Sequence, residues 1–344
     1  MIDLTALKLD GFLVSHLPNV RYLTGFTGSN ALVLITPNST TLFTDPRYTI
    51  QAQTESTAKV VIAKGSLVQA ASKFIQRKRL KNLGFEKSHL SYQTWEFLKP
   101  LKLTLKPIDA AIESRRTIKS PEEIARIRQA VQTNSAAFTV TLKRIRPGVT
   151  ESAVAAELEY QMRRRGAEKP AFETIVAFGT RAALPHAQPT HQKLNASDLV
   201  LIDMGATQNG YTSDMTRTFF IGNPTPKLRK MYEAVLKAQL AGIDAVREGV
   251  TADRVDRATR SVLRSEGLDK YFVHSTGHGL GLEIHEAPRL GRKDKTPLQA
   301  GMVITIEPGV YMENIGGVRI EDTVLVTKNG CEVLTPTSKE LMAV

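Results

Sequence analysis

The sequence predicts a mixed α/β (α+β) protein of two domains, a smaller α/β domain in front of a larger one built on a pseudo-twofold repeat. Three observations carry this. The chain has 344 residues, beyond the ~250–300 at which a single hydrophobic core usually divides. A helix-start signal stands at Ser120-Pro121-Glu122-Glu123. Behind it, a set of residues recurs at an offset of 101 positions.

Residues 1–111 alternate strand-like runs such as Ala31-Leu32-Val33-Leu34-Ile35 with helical patterns such as Leu67 to Arg77, as a small α/β domain would. Ile112 to Lys119 is polar and basic and reads as a linker, which places the larger domain at residues 120–344. Its first helix has Ser120 as N-cap, proline at the first helical position and Glu123 at the third, the elements of a capping box. Ile124, Ile127, Val131 and Phe138 form its apolar stripe, and Pro147-Gly148 marks its end.

The repeat follows. Arg146, Gly148, Val149, Thr150, Val154, Arg163, Gly166 and Lys169 recur as Arg247, Gly249, Val250, Thr251, Val255, Arg264, Gly267 and Lys270. In each copy the Gly-Val-Thr entry offers a threonine N-cap and the later glycine a C-terminal stop, so each copy predicts one helix. Leu184-Pro185-His186-Ala187-Gln188-Pro189 then parallels Glu283-Ile284-His285-Glu286-Ala287-Pro288 through His-x-x-Pro, and a carboxylate-bearing hairpin comes next in both. Two pseudo-symmetric halves are expected, each giving two acids and a flanking histidine to a shared cleft.

The first hairpin is set by Asn209-Gly210, a strong two-residue turn signal between strand-like runs. If these two form the loop, Gln208 faces Tyr211 and Asp203 faces Thr216, and Asp214 lies diagonally from Asp203 on the same face. In the second, Val303-Ile304-Thr305-Ile306 leads into Glu307, a turn rich in Asn314, Gly316 and Gly317 follows, and Val318-Arg319-Ile320 returns to Glu321. Glu307 and Glu321 are fourteen positions apart, so an unbulged hairpin centred near Asn314 puts both on one face. Four anions brought together would repel one another and resist ionisation unless a cation joined them. With the glycine-flanked imidazole of His278, the set Asp203, Asp214, His278, Glu307 and Glu321 suits two divalent metal ions. Mn, Co, Fe or Zn would serve, and the oxygen-rich donors favour Mn.

Bulk composition excludes several other functions. The net charge of +12 invites a nucleic-acid reading, but the densest basic groups are only Arg77-Lys78-Arg79-Leu80-Lys81 and Arg163-Arg164-Arg165. Both fall near predicted helix ends, with no interleaved aromatics, and no nucleic acid is expected as a partner. One cysteine, Cys331, rules out an intrachain disulfide. With an acid in Met1-Ile2-Asp3-Leu4-Thr5 and no apolar run near the ~20 residues of a membrane span, a cytoplasmic protein without membrane attachment is expected.

The motifs Ile202-Asp203-Met204-Gly205, Ser213-Asp214-Met215-Thr216-Arg217-Thr218, Gly277-His278-Gly279-Leu280-Gly281, Ile306-Glu307-Pro308-Gly309-Val310-Tyr311 and Arg319-Ile320-Glu321-Asp322 resemble those of the pita-bread metallopeptidases, the family of methionine aminopeptidase, aminopeptidase P and prolidase. The resemblance is strong over roughly residues 120–340. Asn19-Val20-Arg21-Tyr22-Leu23-Thr24-Gly25-Phe26 and Thr44-Asp45-Pro46-Arg47-Tyr48 extend it to the front, where a creatinase/prolidase-like domain is implied over 1–111.

That resemblance implies a pita-bread catalytic domain in which Asp203 chelates one metal, His278 and Glu307 bind the other, and Asp214 and Glu321 bridge. It also implies Glu307 as general base and His186 and His285 as non-ligand histidines that hold the peptide and stabilise its oxyanion. His274, Tyr311 and Arg319 match positions close to substrate, and a homodimer is implied. Paired divalent ions acidify water and polarise a carbonyl, so peptide hydrolysis is the natural reaction. The extra front domain favours an Xaa-Pro aminopeptidase acting on peptides with proline in second position. The alternatives are an Xaa-Pro dipeptidase (prolidase) and a non-catalytic peptide-binding pita-bread module.

Overall fold

The computed structural model describes residues 2–342. Two compact units divide between Arg116 and Thr117. Residues 113–116 of the expected linker are helical and belong to the first unit, with Ile112 buried in its core.

The first unit is a six-stranded sheet built from β1 (Gly11–Val14), β2 (Ala31–Thr36), β3 (Ser39–Thr44), β4 (Lys59–Ile62), β5 (Asn82–Glu86) and β6 (Thr104–Ile108). The order is β4-β3-β2-β1-β5-β6, with β1–β2 and β2–β3 antiparallel and the remaining pairs parallel. One core gathers Phe12, Val14, Val33 and Ile35, and the other Leu13, Leu32, Leu34 and Phe43, as period-2 alternation requires of strands covered on both faces. The predicted helix over Leu67–Arg77 forms with Ser66 as its cap.

The second unit opens with α1 (Pro121–Leu142), whose capping box is complete: Ser120 accepts from Glu123 N, and the Glu123 carboxylate accepts from Ser120 N. It continues with α2 (Glu151–Arg164), α3 (Pro226–Ala245) and α4 (Ala252–Ser265). α1 and α3 both begin with proline, and α2 and α4 are the two copies of the repeat. The copies end alike, since Gly166 and Gly267 have φ of 99° and 72°, values that favour glycine. They begin differently. Thr150 caps Ala153 N, whereas the Thr251 hydroxyl donates to the Asp253 carboxylate instead.

A three-stranded sheet lies beside α1 and α2: β7 (Ile175–Phe178), β8 (Leu199–Met204) and β9 (Met215–Phe220), in the order β9-β8-β7. Val200, Ile202 and Met204 pack with Phe138, Leu158 and Met162, while Leu199 and Leu201 pack on the other face with Tyr232 and Val235 of α3. Alternation places Asp203 on that second face. The other half has β10 (Gly277–Gly279), β11 (Glu286–Leu290), β12 (Val303–Ile306), β13 (Asp322–Val326) and β14 (Cys331–Val333) in the order β11-β10-β12-β13-β14. Ile304 and Ile306 pack with Val246, Ala252 and Val255, and Val303 packs on the opposite face with Ile127 and Val131 of α1. Thr305 and Glu307 share the face of Val303 by alternation. Each half thus turns its acids toward the other. Among the described residues no helix is long and apolar enough to cross a membrane.

Candidate metal centre

The site rests on two hairpins with the registers expected of them. Gln208 pairs with Tyr211 and Asp203 with Thr216, and the turn residues Asn209 and Gly210 have φ of 51° and 79°. In the second hairpin Ile306 pairs with Asp322 and Gly309 with Arg319, a register centred on Asn314, so Glu307 and Glu321 stand opposite each other. Both ladders break at Asp214, Glu307 and Glu321, while Asp203 stays paired within β8. The strand after Met204 resumes at Ala206, and the Ser213 hydroxyl donates to the Ala206 carbonyl across the gap. Likewise Glu307 and Glu321 fall between two short ladders, and their amides turn to Thr276 O (2.7 Å) and Thr216 O (3.2 Å). Freed from the pleat, these side chains converge.

Asp214, His278 and Glu321 bring ligand atoms within 4.8 Å of one another. His278 Nε2 lies 3.5 Å from Asp214 Oδ2 and 3.4 Å from Glu307 Oε1. Its Nδ1 is 3.0 Å from the Gly279 carbonyl, which can only accept, so the proton sits on Nδ1 and the Nε2 lone pair faces the acids. Thr305 Oγ1 donates to Glu307 Oε1 and Thr216 Oγ1 to Glu321 Oε2. Asp203 is held apart from the tightest group, its Oδ2 accepting from Arg319 Nη2 at 2.6 Å.

The electrostatics call for a cation. Burial pushes Asp214 well above the carboxylate range, reinforced by Glu321, Asp203 and Glu307. Glu307 is pushed up to about 7, chiefly by burial, and Glu321 rises by burial and by Glu307 and Asp203. Asp203 Oδ1 and Glu321 Oε1 are buried with no hydrogen-bond partner. Unpaired buried oxygens of this kind are costly unless something electropositive meets them. Five donors with those two open oxygens fit divalent ions bound by oxygen and one imidazole.

Around the acids lies a cavity of about 630 Å³, whose wall includes His186, His274, His285, Arg319 and the four acids and one histidine of the predicted set. His186 and His285 are exposed on it, and the His285 ring is 4.4 Å from that of His278. Burial, then His278, lowers the pKa of His285. His274 is engaged on both sides: Nδ1 donates to Ser275 O (2.8 Å) and Nε2 accepts from the Tyr311 hydroxyl (2.9 Å). Arg319, buried, donates to Tyr311, Thr216 Oγ1, Pro185 O and Asp203. Tyr311, His274 and Arg319 therefore form one chain of hydrogen bonds ending on Asp203.

Sequence reasoning passed over Glu173, Glu286 and Arg289, which also line the cavity. Arg289 is the cross-strand partner of His278, a relation set by the β10–β11 register. Glu286 forms a buried ion pair with Lys119, 167 positions away in sequence, which no local pattern signals.

This fold and cavity define a metallopeptidase. The profile of Metallopeptidase family M24 matches residues 125–328, and that of the Creatinase/Prolidase N-terminal domain matches 3–118. The chain belongs to family M24. It is 41% identical over 338 residues to the Xaa-Pro dipeptidase of Pyrococcus horikoshii, covering 97% of this chain and 95% of that one. It superposes with a TM-score of 0.96 on the Xaa-Pro dipeptidase from Bacillus anthracis, 39% identical, covering 99% and 96% of the two chains. The X-Pro aminopeptidase from Thermotoga maritima follows at 0.92, 36% identical, covering 98% of each.

Proposed function

We propose that the protein is a metal-dependent Xaa-Pro dipeptidase, with Asp203, Asp214, His278, Glu307 and Glu321 holding two divalent ions, manganese first among the candidates. The sequence alone favoured the aminopeptidase reading; the relatives back the dipeptidase alternative better. One observation in the cavity carries the same choice. Arg289 is on the wall, paired across the ladder with His278, and its exposed side chain has no hydrogen bond or ion pair among the described residues. A guanidinium left free there matches the carboxylate that follows proline in a dipeptide and is absent at that place in a longer peptide.

Bound divalent ions would polarise the scissile carbonyl and make water a nucleophile near neutral pH. The chain's own groups supply the rest. Glu307, whose carboxylate lies within the acid cluster, takes the proton of the attacking water and can return it to the departing proline nitrogen. His285 is held neutral by its lowered pKa, so it offers one N–H to the oxyanion, with His186 beside it on the wall. Arg319 acts by fixing Asp203, and Tyr311 and His274 by fixing Arg319. A homodimer in the cytoplasm accompanies this reading.

The test is incubation of the manganese-loaded protein with Xaa-Pro and with Xaa-Pro-Xaa, alongside elemental analysis. Turnover of the dipeptide and about two ions per chain are expected. Turnover of the tripeptide alone would replace the reading by the X-Pro aminopeptidase one, and near-zero metal with no turnover by the binding module.

A further inference from the structure

The charged side chains of the cavity wall can be sorted by what they already touch. Asp203, Asp214, Glu307 and Glu321 belong to the acid cluster, Glu286 pairs with Lys119, and Arg319 is bound to Asp203. Two remain without a side-chain partner among the described residues, Arg289 and Glu173. They lie on opposite halves of the repeat. Arg289 stands across the ladder from His278, and Glu173 is two residues before Ile175, which stands across the ladder from Asp203.

Glu173 faces inward for a local reason. Thr174 is buried and its hydroxyl donates to Glu159 Oε1 of α2 at 3.0 Å, on the helix side of the strand. Its neighbours Glu173 and Ile175 line the cavity together with Phe172, and Glu173 is exposed there. Four residues, 171–174, stand between Pro170, which pairs with Ala206, and Ile175, which pairs with Asp203, so Glu173 sits on a bulged segment at the edge of this sheet rather than among the paired acids. The α-amino group of a substrate is attached to the carbon beside the scissile carbonyl and must stay near the acid cluster. A carboxylate at that edge, flanked by Phe172 and Ile175 on the same wall, suits the end of a long cationic side chain whose methylenes cover the apolar surface.

We propose that Glu173, with Phe172 and Ile175, forms a subsite for the side chain of the residue before proline and selects lysine or arginine there. This rests on the dipeptidase reading and deepens it. Arg289 and Glu173 then define the direction in which the substrate lies, its carboxylate toward the second half of the repeat and its first side chain toward the first.

The experiment is kcat/KM of the manganese-loaded protein for Lys-Pro, Met-Pro and Glu-Pro, in the unaltered chain, Glu173→Gln and Glu173→Lys. Met-Pro matches lysine in reach without its charge. The Lys-Pro to Met-Pro ratio is expected at about fivefold or more in the unaltered chain, the range of a partly exposed ion pair, and near one in Glu173→Gln. It is expected to shrink with added salt, and Glu173→Lys should shift preference toward Glu-Pro. A ratio that survives Glu173→Gln overturns the proposal. So does an equal loss for Lys-Pro and Met-Pro, which would put Glu173 on the α-ammonium group that all substrates share. If the unaltered chain cleaves none of the three, the dipeptidase reading itself fails and the subsite falls with it.

Discussion

Arg217 and Asp322 form a buried ion pair, Nη2 to Oδ1 at 2.7 Å with both side chains 1% exposed, next to Glu321, a candidate metal ligand. Arg217 also donates to the carbonyls of Thr216, Glu321, Thr337 and Ser338, and Asp322 accepts from Gln239 and Lys339 as well. The guanidinium thus ties the backbone of one candidate ligand to the C-terminal segment. Replacing it with a neutral side chain leaves Asp322 Oδ1 and four carbonyls short of a donor, while Lys339 and Gln239 keep Oδ2. We expect Arg217→Met to lose about 3–5 kcal/mol of stability in denaturant titration and to bind manganese more weakly. Arg217→Lys, keeping charge without the fork, should fall between. A loss under about 1 kcal/mol would mean the pair adds no more than a surface contact does.

The extent to which this site was legible in the sequence follows from the range of each interaction. Asn209-Gly210 fixed a register, and a register fixes every pair along it, so Asp203 opposite Thr216 was readable from a two-residue turn. The even spacing of Glu307 and Glu321 worked in the same way. The capping box at Ser120 was equally local. Arg319 on Asp203, Lys119 on Glu286 and Arg217 on Asp322 were not readable, because each joins residues 105 to 167 positions apart through side chains alone. The choice between the aminopeptidase and dipeptidase readings was not readable for a related reason: both share the metal-site motifs on which the resemblance rests, and Arg289, the charge proposed to separate them, is marked only by its pairing with His278.

His274 offers a pH test. Burial, then Arg319, lowers its pKa from 6.5 to about 3. The unfolded chain therefore binds this proton more readily than the folded one between those values. The corresponding stability is fully present above about 6.5 and is lost progressively as pH falls toward 3. The His274 ring resonances should stay those of neutral imidazole from about pH 5 to 8. A midpoint near 6.5 in the nuclear magnetic resonance titration would contradict the enclosed Tyr311–His274 arrangement.

The proposed docking of the substrate carboxylate on Arg289 can be tested at that single position. Arg289→Gln should raise KM for Xaa-Pro by roughly 10-fold or more, the scale of a lost charge-assisted contact of about 1.5–3 kcal/mol. The unaltered protein should already discriminate by a similar factor against Xaa-Pro-amide, which lacks the carboxylate. Steady-state kinetics with the acid and the amide checks both. An unaltered protein that treats them alike would remove the carboxylate-docking role from Arg289.

Removal and return of metal should report the crowding of the acids. The folded pKa of Glu307, about 7, lies above its ordinary 4.5, and Asp214 and Glu321 are also raised. Between those two values the folded metal-free protein retains protons that the unfolded chain has released. Its stability therefore falls as pH rises through that window and stays at the lower level above it. A cation binding the ionised acids removes this penalty, but at low pH it must first displace their protons. Manganese should therefore raise the melting temperature more at about pH 7.5 than at about pH 5. Binding at neutral pH should release protons, visible in calorimetry as an enthalpy that changes with the buffer. Glu307→Ala should lose hydrolysis and lower metal occupancy, and should also reduce the proton release, since one of the raised carboxyls is gone. Equal thermal shifts at both pH values, or a Glu307→Ala protein with unaltered rate and metal content, would mean that these acids are not where the cations sit.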